Sequence, residues 1–216
     1  MIKKNGGVCM TNYAKLLETE LAKIENLAQK PRLLLHACCA PCSSYTLEYL
    51  TKYFDITLFF YNPNISPERE YDFRAAELTR FLGAHPACGG VKLTVPAYDA
   101  SPFFAMAKGL EEEPEGGARC KKCYALRLAE TAKAAKDGNY DYFCTTLSIS
   151  PYKDAPALNE IGGALAETYG VQYLFSDFKK KGGYARSIEL SREYDLYRQD
   201  YCGCAFSKAE AEKRRR

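Results

Sequence analysis

The chain of 216 residues contains no tryptophan, two histidines and three methionines. So few histidines exclude an imidazole-rich metal site. Long apolar runs are missing too. Leu33–Leu35 and Leu58–Tyr61 are among the longest, far short of the roughly 20 residues of a membrane span. The opening MIKKNGGVCM is basic but lacks the apolar segment of a secretory signal. These absences predict a cytoplasmic protein with no membrane partner. Neither sign of charge dominates. Thirty Lys and Arg against 27 Asp and Glu leave a formal net charge of +3, which permits nucleic-acid contact without demanding it. Hydrophobic residues at 47% and charged residues at 26% exclude wholesale disorder, collagen-like repeats and coiled-coil rods.

Against that background the chain holds ten cysteines. A cytosolic chain of this length does not need disulfides to fold. So many thiols in a reducing compartment point to metal or redox chemistry. With so little imidazole available, any metal site is thiolate-dominated, which favours zinc or iron–sulfur over carboxylate-bound magnesium.

Residues 1–10 read as a frayed leader, within which Met10 is as acceptable a start as Met1. Apolar spacing predicts a helix over Asn12–Gln29, closed by Pro31. Strands are expected at Arg32–Ala37, Ile56–Tyr61, Lys92–Tyr98, Tyr140–Thr146 and Val171–Phe175. Helices are expected at Ser43–Tyr53, Pro67–Leu82, Cys120–Lys136, Pro156–Tyr169 and Ser187–Tyr197. Ser101–Gly117 reads as mixed, ending in an exposed loop, and KRRR as a basic tail. No repeat or linker divides the chain. Alternating strands and helices predict an α/β, Rossmann-like fold, an about five-stranded, mostly parallel sheet with helices on both faces. Its functional crevice should lie beyond the carboxyl ends of the strands, at the topological switch point. CCAPC after the first strand, NPN after the second and TTLSIS after the fourth all fall at that edge.

Seven cysteines form three groups: Cys38, Cys39 and Cys42; Cys120 and Cys123; Cys202 and Cys204. Cys120 and Cys123 lie one turn apart at a helix start, so both thiols can face one metal, and the helix dipole there should lower their pKa. Gly203 lets the backbone bend between the last pair. Seven thiols exceed the four of a structural zinc site or of a [4Fe–4S] cluster. A split of four and three gives one cluster and a second metal with an open position. One structural zinc with three spare thiols is the plainer alternative. His36 is a candidate ligand or proton donor, and equally a strand-end core histidine. Cys144 reads as a core residue, Cys88 as a loop thiol near His85, and Cys9 as part of the leader.

HACCAPCS, YNPNISPEREYDFRAAEL, RCKKCYALRL, TTLSISPYK and LYRQDYCGCAFS, in this order over residues 31–208, resemble the cobalamin-independent epoxyqueuosine reductases, the QueH family. The resemblance implies an adenine nucleotide alpha-hydrolase-like fold. It also implies reduction of epoxyqueuosine to queuosine at the wobble position of tRNA with a GUN anticodon, by a [4Fe–4S] cluster beside a separately bound iron. Some members carry Asp where this chain has Cys42, so that residue is expected on the mononuclear iron. The expected division is Cys39, Cys120, Cys123 and Cys202 on the cluster, with Cys38, Cys42 and Cys204 on the second metal. Residues 1–30 then form an N-terminal extension with an amphipathic helix, 31–208 the metal-binding reductase domain and 209–216 a basic tail. Related tRNA sulfur transferases hold ATP in a glycine-rich loop after the first strand. Proline and cysteines stand there in this chain, so no ATP use is expected.

Epoxide deoxygenation takes two electrons and two protons. No flavin or cobalamin motif is visible, so electrons are expected from an external donor through the metals. His36, Tyr71, Tyr124 and Tyr197 are the candidate proton donors. Asn62, Asn64, Arg74, Arg127, Thr145, Thr146, Ser148 and Ser150 are candidates for holding the base or ribose, each with turn stabilisation or capping as the alternative. Lys179–Lys181 and Lys213–Arg216 are candidate contacts for the tRNA backbone. Two competing readings remain: a non-catalytic zinc-binding adaptor, and a thiol–disulfide oxidoreductase using Cys120 and Cys123.

Overall fold

The computed structural model describes residues 11–215. The leader, with Cys9 and Met10, and the terminal Arg216 lie outside the described residues. Five strands form one all-parallel sheet: β1 (Arg32–His36), β2 (Asp55–Phe59), β3 (Lys92–Thr94), β4 (Tyr142–Thr145) and β5 (Gln172–Tyr173). Their order is β3-β2-β1-β4-β5. Leu33, Leu34 and Leu35 of β1 are at most 3% exposed, the signature of a central parallel strand covered on both faces. In register, Leu35 lies beside Leu58 on one side and Cys144 on the other, and His36 beside Phe59 and Thr145.

Helices cover both faces, as expected. On one side α1 (Tyr13–Ile24), α2 (Ala40–Leu50) and α3 (Glu68–Ala84) bury Leu17, Leu21, Leu47, Leu50, Leu78 and Phe81 against β1 and β2. On the other, α5 (Ala118–Asp137) and α6 (Ala155–Tyr169) pack Leu128, Ala132 and Leu158 against Leu34 and Phe143. Each leucine so buried stabilises the fold by about 1.5–3 kcal/mol. Ends follow local chemistry. Asn12 caps α1 by accepting from the Lys15 amide, and Asp154 caps α6 by accepting from the Ala157 amide. Gly170 ends α6 in the left-handed region at φ 71°, where glycine is the least strained residue.

Several expectations need correction. α2 begins at Ala40, with Pro41 in its first turn, so the second half of CCAPC is helix. β3 and β5 are shorter than expected. The helix after β5, α7, spans Gly183–Glu193, earlier than predicted. The stretch read as mixed contains α4 (Ser101–Ala107), and the supposed tail belongs to α8 (Ala205–Arg215). α8 has few apolar residues, but Ser207 and Ala211 are buried on one face.

Candidate metal centre and its cavity

The chain passes from β1 outward to β2 and returns through β4 on the opposite side, so the switch point lies between β1 and β4. The CCAPC turn leaves β1 there. Cys39 stands at the α2 N-terminus in extended backbone. The Cys38, Cys39 and Cys42 sulfurs lie within 4.8 Å of one another, with Cys38 Sγ 3.6 Å from Cys39 Sγ. Two thiolates on one tetrahedral ion with ~2.3 Å bonds stand ~3.8 Å apart. The triad therefore has the spacing of a site for a single metal ion. Contacts with Cys38 and Cys39 push the Cys42 thiol well above its ordinary pKa, while donation from Cys38 and Cys42 holds Cys39 well below.

The other four thiols form a wider set. Cys120 and Cys123 sit in the first turns of α5; Cys123 packs with Cys204 beneath Phe103 of α4 and Phe206 of α8. Cys123 interacts electrostatically with Cys120, Cys202 and Cys204. Among the described residues the triad is the single group of three ligating side chains within 4.8 Å, so this quartet is too open for one ion. The Gly116 amide donates to Cys120 Sγ at 3.2 Å and the Ser207 amide to Cys204 Sγ at 3.3 Å. The expected fall in thiol pKa at the α5 N-terminus is not found. Burial pushes Cys123 up to about 12 and raises Cys120 as well. Desolvation of the thiolate outweighs the helix dipole.

Buried cations surround the sulfurs. Arg74, Arg119 and Arg127 are each 1% exposed. Arg74 pairs with Glu70 at 2.8 Å and donates to the Cys202 carbonyl, and Arg119 reaches Glu210 at 3.4 Å. Arg127 differs. It donates to His36 Nε2 at 3.2 Å and to Asn62 Oδ1 at 2.5 Å, both neutral acceptors, and faces Cys123, Cys38 and Cys202. Burying an uncompensated cation costs several kcal/mol. Arg127 is therefore matched to negative charge on sulfurs of both sets. A thiol-only donor set beside such a cation fits a thiolate-bound metal.

His36 is fully buried, and desolvation with the nearby Arg127 lowers its pKa to about 3. Its Nδ1 lies 2.9 Å from Thr145 Oγ1, and its Nε2 lies 3.1 Å from the Tyr61 carbonyl and 3.2 Å from Arg127 Nε. Thr145 Oγ1 in turn accepts from the Leu147 amide, and Asn62 Nδ2 donates to the Ala37 carbonyl. These groups brace the two strand ends.

A cavity of about 520 Å³ opens over the switch point, lined by Cys38, Cys39, Cys42 and Cys202 among others. Of the expected substrate contacts, Arg127 and Ser150 line it. Asn62, Asn64, Arg74, Thr145 and Thr146 are buried behind it, each at most 1% exposed. Thr146 Oγ1 lies 3.9 Å from Cys38 Sγ. Ser148 Oγ accepts from the Phe178 amide. The candidate proton donors do not converge either. The Tyr71 hydroxyl donates to the Pro96 carbonyl at 2.7 Å, with the Phe60 carbonyl 3.1 Å away, and that of exposed Tyr197 faces Glu70. Tyr124 is buried near Lys153 and Cys120. Lys179 pairs with Asp177 and Lys181 with Glu18. Sequence reasoning missed Lys153, which lines the cavity, donates to Glu115 at 3.1 Å and faces the Cys202 thiol. It also missed Tyr152, Tyr201 and Gln199 on the wall. Lysine and tyrosine in TTLSISPYK were the available signal.

Thiol-only ligands around an open cavity at the switch point of a parallel sheet define an α/β protein equipped to hold soft metal ions. Among the described residues, no helix is long and apolar enough to cross a membrane. The family profile described as epoxyqueuosine reductase QueH matches residues 33–210. Curated relatives of that name include one from Staphylococcus epidermidis, 46% identical over 200 residues, covering 91% of this chain and 84% of that protein. Another, from Streptococcus pyogenes, is 44% identical over 199 residues, 91% of this chain and 78% of that one. The crystal structure of a predicted tRNA methyltransferase subunit from Methanocaldococcus jannaschii is similar at TM-score 0.49 and 17% identity over 74% of each chain. This chain belongs to the epoxyqueuosine reductase QueH family.

Proposed function

We propose that the protein reduces epoxyqueuosine to queuosine at the wobble position of tRNA with a GUN anticodon, the last step of queuosine biosynthesis, in the cytoplasm. The observation that carries this reading is the seven thiols, a tight three and a wide four, of which Cys38, Cys39, Cys42 and Cys202 line one cavity, in a chain of the QueH family. We assign a [4Fe–4S] cluster to Cys120, Cys123, Cys202 and Cys204, whose spread suits a multinuclear centre. A mononuclear iron is assigned to Cys38, Cys39 and Cys42, whose spacing suits one ion. This exchanges Cys39 and Cys204 relative to the division expected from sequence.

The reaction consumes two electrons and two protons, releases the epoxide oxygen as water and leaves an alkene. When bound, the two centres supply single-electron transfer and Lewis acidity; the electrons come from an external donor. Arg127, between the sulfur sets, balances their negative charge and orients His36. Lys153 holds its proton strongly beside Cys202 and presents an ionised N–H to the cavity, with Tyr124 behind it. His36, neutral and buried between Thr145, Tyr61 and Arg127, acts as a positioning residue.

A zinc adaptor needs one set of four thiols and leaves the triad unexplained. A thiol–disulfide oxidoreductase needs an accessible thiolate, which the burial of Cys123 opposes. Anaerobic purification with iron and sulfide analysis tests the assignment. About five irons and four sulfides per chain support it, followed by conversion of epoxyqueuosine-containing tRNA with dithionite. One zinc without sulfide overturns it.

A further inference from the structure

The mouth of the cavity carries a feature that metal binding does not explain. Tyr152 is 78% exposed, yet its turn is fixed on both sides. The Tyr152 amide donates to Ser150 Oγ at 3.3 Å, Pro151 restricts the preceding backbone, Lys153 is buried and Asp154 caps α6. The turn thus holds an aromatic face in solvent, at the rim of a cavity it helps to line. Tyr184 and Tyr201 also line that cavity. The cationic lining residues are Arg127, Lys153, Arg198, Arg214 and Arg215, against the two carboxylates Glu115 and Asp200. Lys153 is committed to Glu115 and Arg215 to Asp200. Arg214, delivered by α8, and Arg198, whose Nη1 donates to Ser191 Oγ at 3.0 Å, are both exposed and remain as the cations of the rim without a carboxylate partner among the described residues.

Aromatic faces interleaved with cations bind single-stranded nucleic acid, because every base has a stackable face and every phosphate a charge. A duplex offers no free base face to such a platform. We propose that Tyr152 is a stacking platform for an unpaired nucleotide next to the base that enters the cavity, with Arg198 and Arg214 on the flanking phosphates. The proposal rests on the tRNA-modifying reading above and names the part of the RNA that this rim takes: a loop, not a stem.

The test is fluorescence anisotropy of the full chain with a labelled anticodon stem-loop RNA carrying guanosine at the wobble position, and with a blunt RNA duplex as comparison. Tyr152→Ala should weaken stem-loop binding about tenfold and leave duplex binding and the melting temperature unchanged. Tyr152→Phe should bind as the parent does. Arg214→Gln should weaken both RNAs and lower the salt-dependence slope of stem-loop binding by about one. Stem-loop binding by Tyr152→Ala equal to the parent overturns the proposal. So does equal loss on both RNAs, or a parent protein that does not prefer the stem-loop. Binding requires no turnover. A parent that prefers the stem-loop but leaves epoxyqueuosine unreduced overturns the reductase reading and leaves the platform standing.

Discussion

The triad Cys38, Cys39 and Cys42 comes from one strand-to-helix turn, whereas the quartet joins the start of α5 to a loop far along the chain. The first is a local construction, its sulfurs gathered by β1, Pro41 and the first turn of α2. The second exists only when α4 and α8 close over it with Phe103 and Phe206. Local geometry thus sets three sulfurs close together, and tertiary closure sets four others further apart. Arg127 faces both and couples them electrostatically.

The comparison breaks most visibly at the sulfurs. Cys42→Ala should abolish turnover while acid-labile sulfide stays at the parent level. Cys204→Ala should abolish turnover and sulfide together, as read by colorimetric sulfide and iron analysis. Sulfide lost equally in both variants would merge the sets into one. The next effect falls on the link between them. Arg127→Met should destabilise the metal-loaded protein by about 3 kcal/mol in urea unfolding and the metal-free protein by less. The cation is balanced only when the sulfurs are ionised.

A smaller effect isolates the wide set. Gly203 has φ 116°, and an added Cβ would lie 3.0 Å from Arg74 Nη1 and 3.1 Å from Ile65 Cγ1. Gly203→Ala should cost about 1–3 kcal/mol and lower sulfide content with less effect on the triad. The smallest effect falls on an ion pair that involves none of the seven sulfurs. Arg186 holds the Glu48 carboxyl below its ordinary pKa, joining α2 to α7. Its contribution is present above the unfolded-state value near 4.5 and is lost as pH falls through the folded value. Glu48→Gln should remove under about 1 kcal/mol, seen as a shallower acid limb in stability against pH and no change in metal content.

The local construction was legible and the closure was not. All five strands, their parallel arrangement and the gathering of motifs at one edge follow from apolar runs alternating with helical spacing. The seven relevant cysteines were picked out, because thiols in tight groups have few structural uses in a reducing compartment. The proposed division departs from the one expected from sequence because it depends on which helices cover Cys204. α4 has only seven residues, although Ser101-Pro102 is a helix start signal. α8 buries little more than Ser207 and Ala211, so its charged run reads as a tail. Asn62 and Asn64, which follow the second strand, and Arg74, on a helix facing the same edge, were expected to meet substrate. Here they point inward, where Arg74 bonds the Cys202 carbonyl and Asn62 the Ala37 carbonyl.

The distance along the chain between the two halves of the quartet has a consequence for synthesis. On the ribosome, the β1–α2 turn and the two cysteines of α5 emerge long before Cys202 and Cys204. A nascent chain can present a complete three-sulfur pocket while the other centre is still half made. A group held by all four sulfurs of the wide set can therefore seat only after Cys204 and α8 have emerged, long after the triad is complete.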